Sequence, residues 1–144
     1  MSRARANKAG RIAGIRARTV EILQLELAGL MVRAREAASA VVAAKRAWEE
    51  AASAPPLAVC TSGDLAEAHA FVQGLARRVD ALAAEERVAL AREEAGLRKL
   101  VHAKTELRKI ENWRDRLLQV AMDEESAHER RTTDEVAARI ARDA

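Results

Sequence analysis

The chain has 144 residues, of which 49% are hydrophobic, 33% charged and only 2% aromatic, with no Tyr. Nearly half of the hydrophobic residues are alanine, so bulky side chains are too few for a globular core but sufficient for a narrow seam between helices. The formal net charge is +3. No stretch reaches the roughly 18 uncharged apolar residues that a membrane span requires, and no apolar run follows the basic N-terminus, which predicts a soluble chain without a secretory signal.

Residues 1 to 20 carry Arg3, Arg5, Lys8, Arg11, Arg16 and Arg18 with no acid, a pattern shared with organellar presequences and nucleic-acid arms. From Val20 onward, steps of three and four residues pass through Leu23, Leu27, Leu30, Ala34, Ala37, Val41, Ala44, Trp48 and Ala51, all apolar. This is a heptad seam. It predicts a first helix over about residues 3–53, ending ahead of the only two prolines, Pro55 and Pro56, in a connection of about 54–63. Asp64 and Glu67 have the spacing of a capping box, which predicts the start of a second helix at about residue 64, running to about 141. Its seam passes through Leu65, Ala68, Val72, Leu75, Val79, Leu82, Glu86, Ala89, Glu93, Gly96, Leu100, Ala103, Leu107, Ile110, Arg114, Leu117 and Ala121.

A connection this short forces two long helices to fold back on each other, so the expected fold is all-α: an antiparallel coiled-coil hairpin forming a single domain over 1–144. Pairing Ala51 with Leu65 sets a register in which Val41 faces Leu75, Leu30 faces Glu86, and the N-terminal residues lie near Arg114 to Arg116. Beyond Leu117 the longer second helix would overhang, and an unpaired helix is marginal in water, so the overhang is expected to fray or to require a partner. Glu86 and Glu93 in the seam predict either a local shift onto Val88, Leu90 and Leu97 or a hinge. Ile15, Ile22, Leu25 and Val32 fall outside the seam. They mark either a docking stripe on the outer face or a drift of the seam toward Ile12, Ile15 and Ile22. Trp113, Leu118 and Val120 flank the second seam as a partner contact or a staple for the helix end.

Motifs for chemistry are missing. The single Cys60 has no intrachain disulfide partner and suits a reducing compartment. His69, His102 and His128 are far apart in sequence, and Glu125-x-x-His128 has the spacing of a ferritin-like ligand pair without the further carboxylates such a site needs. No Gly-rich phosphate loop or nucleophile elbow is present, and a two-helix hairpin encloses no pocket. The expectation is a protein that is not an enzyme, takes no cofactor, metal or small-molecule substrate, and acts by binding proteins. Interleaved charges of both signs on the second helix argue against nucleic acid, despite a pI near 9.5.

Three segments carry a family resemblance. Ala70-Phe71-Val72-Gln73-Gly74-Leu75, with Trp48 near the end of the first helix, resembles the opening of the second helix in the FliJ/YscO group of type III secretion stalk proteins. Lys109-Ile110-Glu111-Asn112-Trp113-Arg114-Asp115-Arg116-Leu117 is similar to that family's basic, Trp-containing turn. The run from Glu129 to Arg139, closing on Asp134-Glu135-x-Ala137-x-Arg139, resembles the charged segment near the family's C-terminus.

The resemblance implies a bacterial cytoplasmic protein, peripheral at the inner-membrane export apparatus, that links a hexameric secretion ATPase to the cytoplasmic domain of the export gate. In some members of the group it also escorts chaperones. It further implies a gate-contacting set of Val41, Trp48, Phe71 and Leu75, three of which the heptad reading puts inside the seam. The ring-facing end would combine Arg3, Arg5, Lys8, Arg11 and Trp113 with Arg130, Arg131, Asp134 and Glu135. The competing expectations are a generic oligomeric coiled-coil scaffold and a basic nucleic-acid-associated protein.

Overall fold

The computed structural model describes residues 1–54 and 61–144; Pro55, Pro56 and Cys60 fall outside the described residues. Two α-helices make up the fold, α1 (Ser2–Ala52) and α2 (Ser62–Asp143), packed against each other with α2 the longer. Runs of Ala, Leu, Arg and Glu without an internal proline sustain both helices. The chain divides into two units: Met1–Ile22 with Val101–Ala144, and Leu23–Leu100.

In the first unit the two segments run antiparallel, since Ser2 donates its hydroxyl to Glu124 while Gly10 lies against the Arg114 side chain. Ala6, Ala9, Ala13 and Val20 of α1 and Ala121 of α2 are buried. The seam of α1 therefore extends on alanines toward the N-terminus; Ile12 is half-buried beside it, whereas Ile15 and Ile22 are exposed and take no part. Across from these alanines α2 supplies larger residues at half-buried positions, among them Leu107, Ile110 and Leu117. Small residues on one helix receive large ones from the other, which is how a seam reaches close packing without voids.

In the Leu23–Leu100 unit that division of labour reverses over Leu23–Leu30 and returns where Ala34, Ala37 and Ala44 of α1 share the unit with Val72, Leu75, Val79 and Leu82 of α2. In the first of these stretches α1 contributes Leu23, Leu27 and Leu30, while α2 contributes Ala89, Glu93 and Gly96 at half-buried seam positions. A Cβ on Gly96 would stand 2.9 Å from Leu30 Cδ1 and 3.5 Å from Leu27 Cδ1. Any larger residue there would require the Leu30 side chain to move aside. Ala34, Val41 and Ala44 of α1 and Leu100 of α2 complete the buried set.

These contacts correct the expected register. Leu30 faces Gly96 and not Glu86, and the N-terminus meets Glu124 and Glu125 and not Arg114 to Arg116. Relative to the expected pairing, the contacts are displaced along α2 by about seven residues for Leu27 with Gly96 and by about ten for Leu30 with Gly96 and Ser2 with Glu124. Gly96, which carries no side chain, accommodates both Leu27 and Leu30 at this point of the seam, where the expected register set Leu30 against Glu86. One consequence is that Leu65 and Ala68, expected in the seam, are exposed along with every residue from Thr61 to Phe71. Glu86 and Glu93 retain their seam positions, and Val88, Leu90 and Leu97 stay about half exposed, so the seam makes no local shift onto them.

The cap of α2 also differs from expectation. Thr61 is the N-cap: its hydroxyl accepts from the Asp64 amide at 3.2 Å, the Asp64 carboxylate accepts from the Thr61 amide at 3.0 Å, and the Thr61 carbonyl takes the first helical bond from Leu65. The reciprocal pair is thus Thr61 with Asp64 and not Asp64 with Glu67. The Thr61 backbone N–H and then its side chain hold the Asp64 carboxyl below its ordinary value of 3.8.

Candidate interaction surfaces

Because six of the nine buried residues are alanine, the seam consumes little of the chain's large apolar surface. Much of that surface is left outside and becomes the material for binding. Heptad geometry sorts it. In an antiparallel pair the e positions of the two helices border one side of the seam and the g positions border the other.

In the Leu23–Leu100 unit the g side holds Glu26, Arg33, Glu85, Arg92 and Lys99, which line two shallow depressions together with Leu30 and Val88. On the e side, Met31 of α1 and Leu90 and Leu97 of α2 flank a groove of about 430 Å³ floored by Leu27 and Glu93. Ala38, Ala76 and Ala83 continue the e side, each half-buried. The g positions of this unit are mostly charged and its e positions mostly apolar, although Glu93 and Glu94 also line the e-side groove. The sequence reading missed this side because it treated Leu90 and Leu97 only as alternatives to the seam. The signal was present, since apolar residues at a, d and e mark a helix that packs on more than one neighbour.

The gate-contacting set implied by the resemblance lies in this same unit. Val41 is buried at 5% exposure and Leu75 is half-buried, so both serve the seam. Trp48, expected inside the seam, is 37% exposed, and Phe71 is 63% exposed on the uncovered first turns of α2. Only the two aromatic residues present substantial surface.

The ring-facing set lies in the other unit. Arg3, Arg5, Lys8 and Arg11 are exposed on α1, and Arg3 donates to the Glu125 carboxylate, forming an exposed ion pair between the helices. No acid occupies the first turn of α1. Glu124 and Glu125 of α2 therefore bring to that helix N-terminus the negative charge that its own sequence lacks. Lys109 hydrogen-bonds to Glu106 at 2.9 Å, and with the charge of Arg16 across the seam it holds the Glu106 carboxyl below its ordinary value of 4.5. Trp113 is 47% exposed, and Arg130, Arg131, Asp134 and Glu135 are all exposed.

From Met122 to the end of α2 every residue is exposed. Continued past Ala121, the heptad rule falls on Glu124, His128, Arg131, Glu135, Ala138 and Arg142, so the apolar seam stops where α1 ends. Ile15 and Ile22 in one unit and Leu25 and Val32 in the other are all at least half exposed on the outer side of α1. Among the described residues no group of three or more His, Cys, Asp or Glu converges as a metal site, and no helix is long and apolar enough to cross a membrane. Comparison with known proteins finds no matching family model, no matching curated protein and no matching solved structure.

Proposed function

We propose that this chain is a non-enzymatic stalk or adaptor of a bacterial type III secretion apparatus, linking a hexameric secretion ATPase to the export gate. The observation that carries the reading is the C-terminal part of α2. It remains helical to Asp143 beyond the last buried seam residue, with the family-like charged run from Glu129 to Arg139 exposed on every side. A helix with no apolar stripe of its own, carrying interleaved charges, suits an electrostatically steered and reversible contact better than a rigid one. Trp48 and Phe71 supply the aromatic surface for a second contact, of the kind that dominates protein interfaces.

The test is capture of the cognate secretion ATPase and of the gate's cytoplasmic domain by the full chain. A variant truncated after Glu125 is expected to lose the ATPase and keep the gate domain, and Phe71→Ala to do the reverse. Failure of the full chain to capture either protein overturns the proposal. The generic scaffold is the second reading, favoured by the apolar e side of the Leu23–Leu100 unit.

A further inference from the structure

The apolar e side of the Leu23–Leu100 unit is a surface that the stalk reading does not use. It spans α1 from Gln24 through Met31 and Ala38 to Lys45, and α2 from Leu97 through Leu90 and Ala83 to Ala76. No charged residue occupies an e position between Gln24 and Ala38 or between Ala76 and Leu97. Leu90 and Leu97 are 48% and 50% exposed and Met31 is 36% exposed, and Glu93 and Glu94 line the same groove. We propose that this side pairs with the same side of a second copy of the chain, closing a four-helix arrangement about a two-fold axis perpendicular to the helices.

Two arguments select a second copy as the occupant. The first is area. A face about 22 residues long and two helices wide measures about 33 Å by about 20 Å. Its footprint of roughly 650 Å² approaches the roughly 800 Å² that each partner contributes to a stable interface of standard size.

The second argument is charge complementarity. Glu94 and Arg87 stand at the rim beside Leu90, one heptad apart on the same side of α2. An antiparallel approach of two α2 segments centred near Leu90 sets Glu94 of each copy against Arg87 of the other, giving two reciprocal ion pairs from one rim. A symmetric interface requires such self-complementarity. Arg35 on α1 comes near its own counterpart, a like-charge approach offset by the two pairs. The alternative two-fold axis, parallel to the helices, brings Arg87 level with the second copy's Arg35 and supplies no pairing at that rim. In the single chain Glu94 has only a loose contact with Arg98, at 3.9 Å with both side chains about 70% exposed. An exposed contact of this kind costs little to exchange.

The experiment is sedimentation of the full chain from about 1 to 200 μM, with circular dichroism to confirm helicity, at low and moderate salt. The wild type is expected to pass from monomer to dimer across this range, with Kd in the micromolar region typical of a transient interface of this size. Leu90→Lys with Leu97→Lys is expected to leave a helical monomer. Glu94→Arg and Arg87→Glu, both at exposed positions that the fold tolerates, are each expected to weaken the dimer at least threefold, and the combined charge swap is expected to restore it. A wild type that stays monomeric throughout overturns the proposal. So does a dimer that survives the paired lysine substitutions, as it would if Leu25 and Val32 on the outer side of α1 carried the contact. Failure of the charge swap to restore affinity overturns the antiparallel arrangement. None of these outcomes depends on whether a secretion ATPase is bound.

Discussion

Two stretches of α2 obey the same helical geometry and opposite chemistry. From Val72 to Ala121 the seam positions are mostly apolar and each is at least half-buried against α1; from Glu124 to Arg142 the same positions are charged or polar apart from Ala138, and all are exposed. Both stretches are continuous helix. The helix therefore continues where the seam stops, and the seam specifies where a second helix lies on it. The expectation that the overhang frays or takes a partner rested on the marginal stability of a single helix in water, and the proposed ATPase contact takes up its second alternative.

The largest test of this contrast is a charge in the seam. Leu27→Asp places a carboxylate against Leu27's partner Gly96 and its neighbour Leu30, where few other large side chains hold the helices together. It should cost about 3 kcal/mol or more, enough to abolish cooperative melting of the hairpin in circular dichroism. A melting curve matching wild type would show that Leu27 does not face α2. The register itself is tested by volume. Gly96→Leu overfills the space taken by Leu30 and Leu27 and should lower stability by about 1–3 kcal/mol. Leu30→Ala should recover most of that loss, whereas Val20→Ala, which lies opposite Gly96 in the register expected from Ala51 and Leu65, should not. Recovery by Val20→Ala alone would restore the register one heptad away.

Smaller effects probe surfaces away from the seam. A Cβ added at Gly29 meets nothing within 4 Å. Gly29→Ala should therefore raise stability by about 0.5–1 kcal/mol through helix propensity alone, measured in urea unfolding. The cap at Thr61 and Asp64 makes a weak pH dependence. Because the folded carboxyl titrates below its ordinary value of 3.8, its contribution is fully present above that value and is lost as pH falls through the lower folded one. Amide exchange at the start of α2 should accelerate selectively in that acid range, and Asp64→Asn should remove the dependence.

Most of the fold was legible because it rests on a repeat: steps of three and four from Val20 to Ala51 and from Val72 to Ala121 locate the seam apart from Ala6, Ala9 and Ala13, which are buried ahead of it. The register was not legible, because a heptad seam looks the same after a slip of seven residues, and the connection that might have anchored it gives no length for the uncovered turns from Ser62 to Phe71. Side-chain volume resolves the ambiguity. Gly96 is the clearest marker, because Leu30 and Leu27 both close on it. Of the implied contact residues, Val41 and Leu75 were identifiable from periodicity as seam residues, while the exposure of Trp48 followed from the slip and was hidden with it. The charged run from Arg130 to Glu135 was plain in composition; what composition lacked was the point at which α1 ends and leaves that run uncovered.

The smallest expected effect closes the comparison. Val136 and Ile140, 50% and 67% exposed, are the largest apolar side chains in the run past Met122, and they lie one turn apart on α2. If the C-terminal stretch contributes nothing to the hairpin, then Val136→Asp with Ile140→Asp should change the midpoint of urea unfolding by no more than about 0.5 kcal/mol in stability, the range of ordinary surface substitutions. The same pair removes the only sizeable apolar contact this stretch can offer another protein. A loss of ATPase capture at unchanged stability would assign Val136 and Ile140 to binding, with the surrounding charges steering the encounter. A large loss of stability would mean instead that the stretch folds back on part of its own chain, and the distinction between the two regions of α2 would fail.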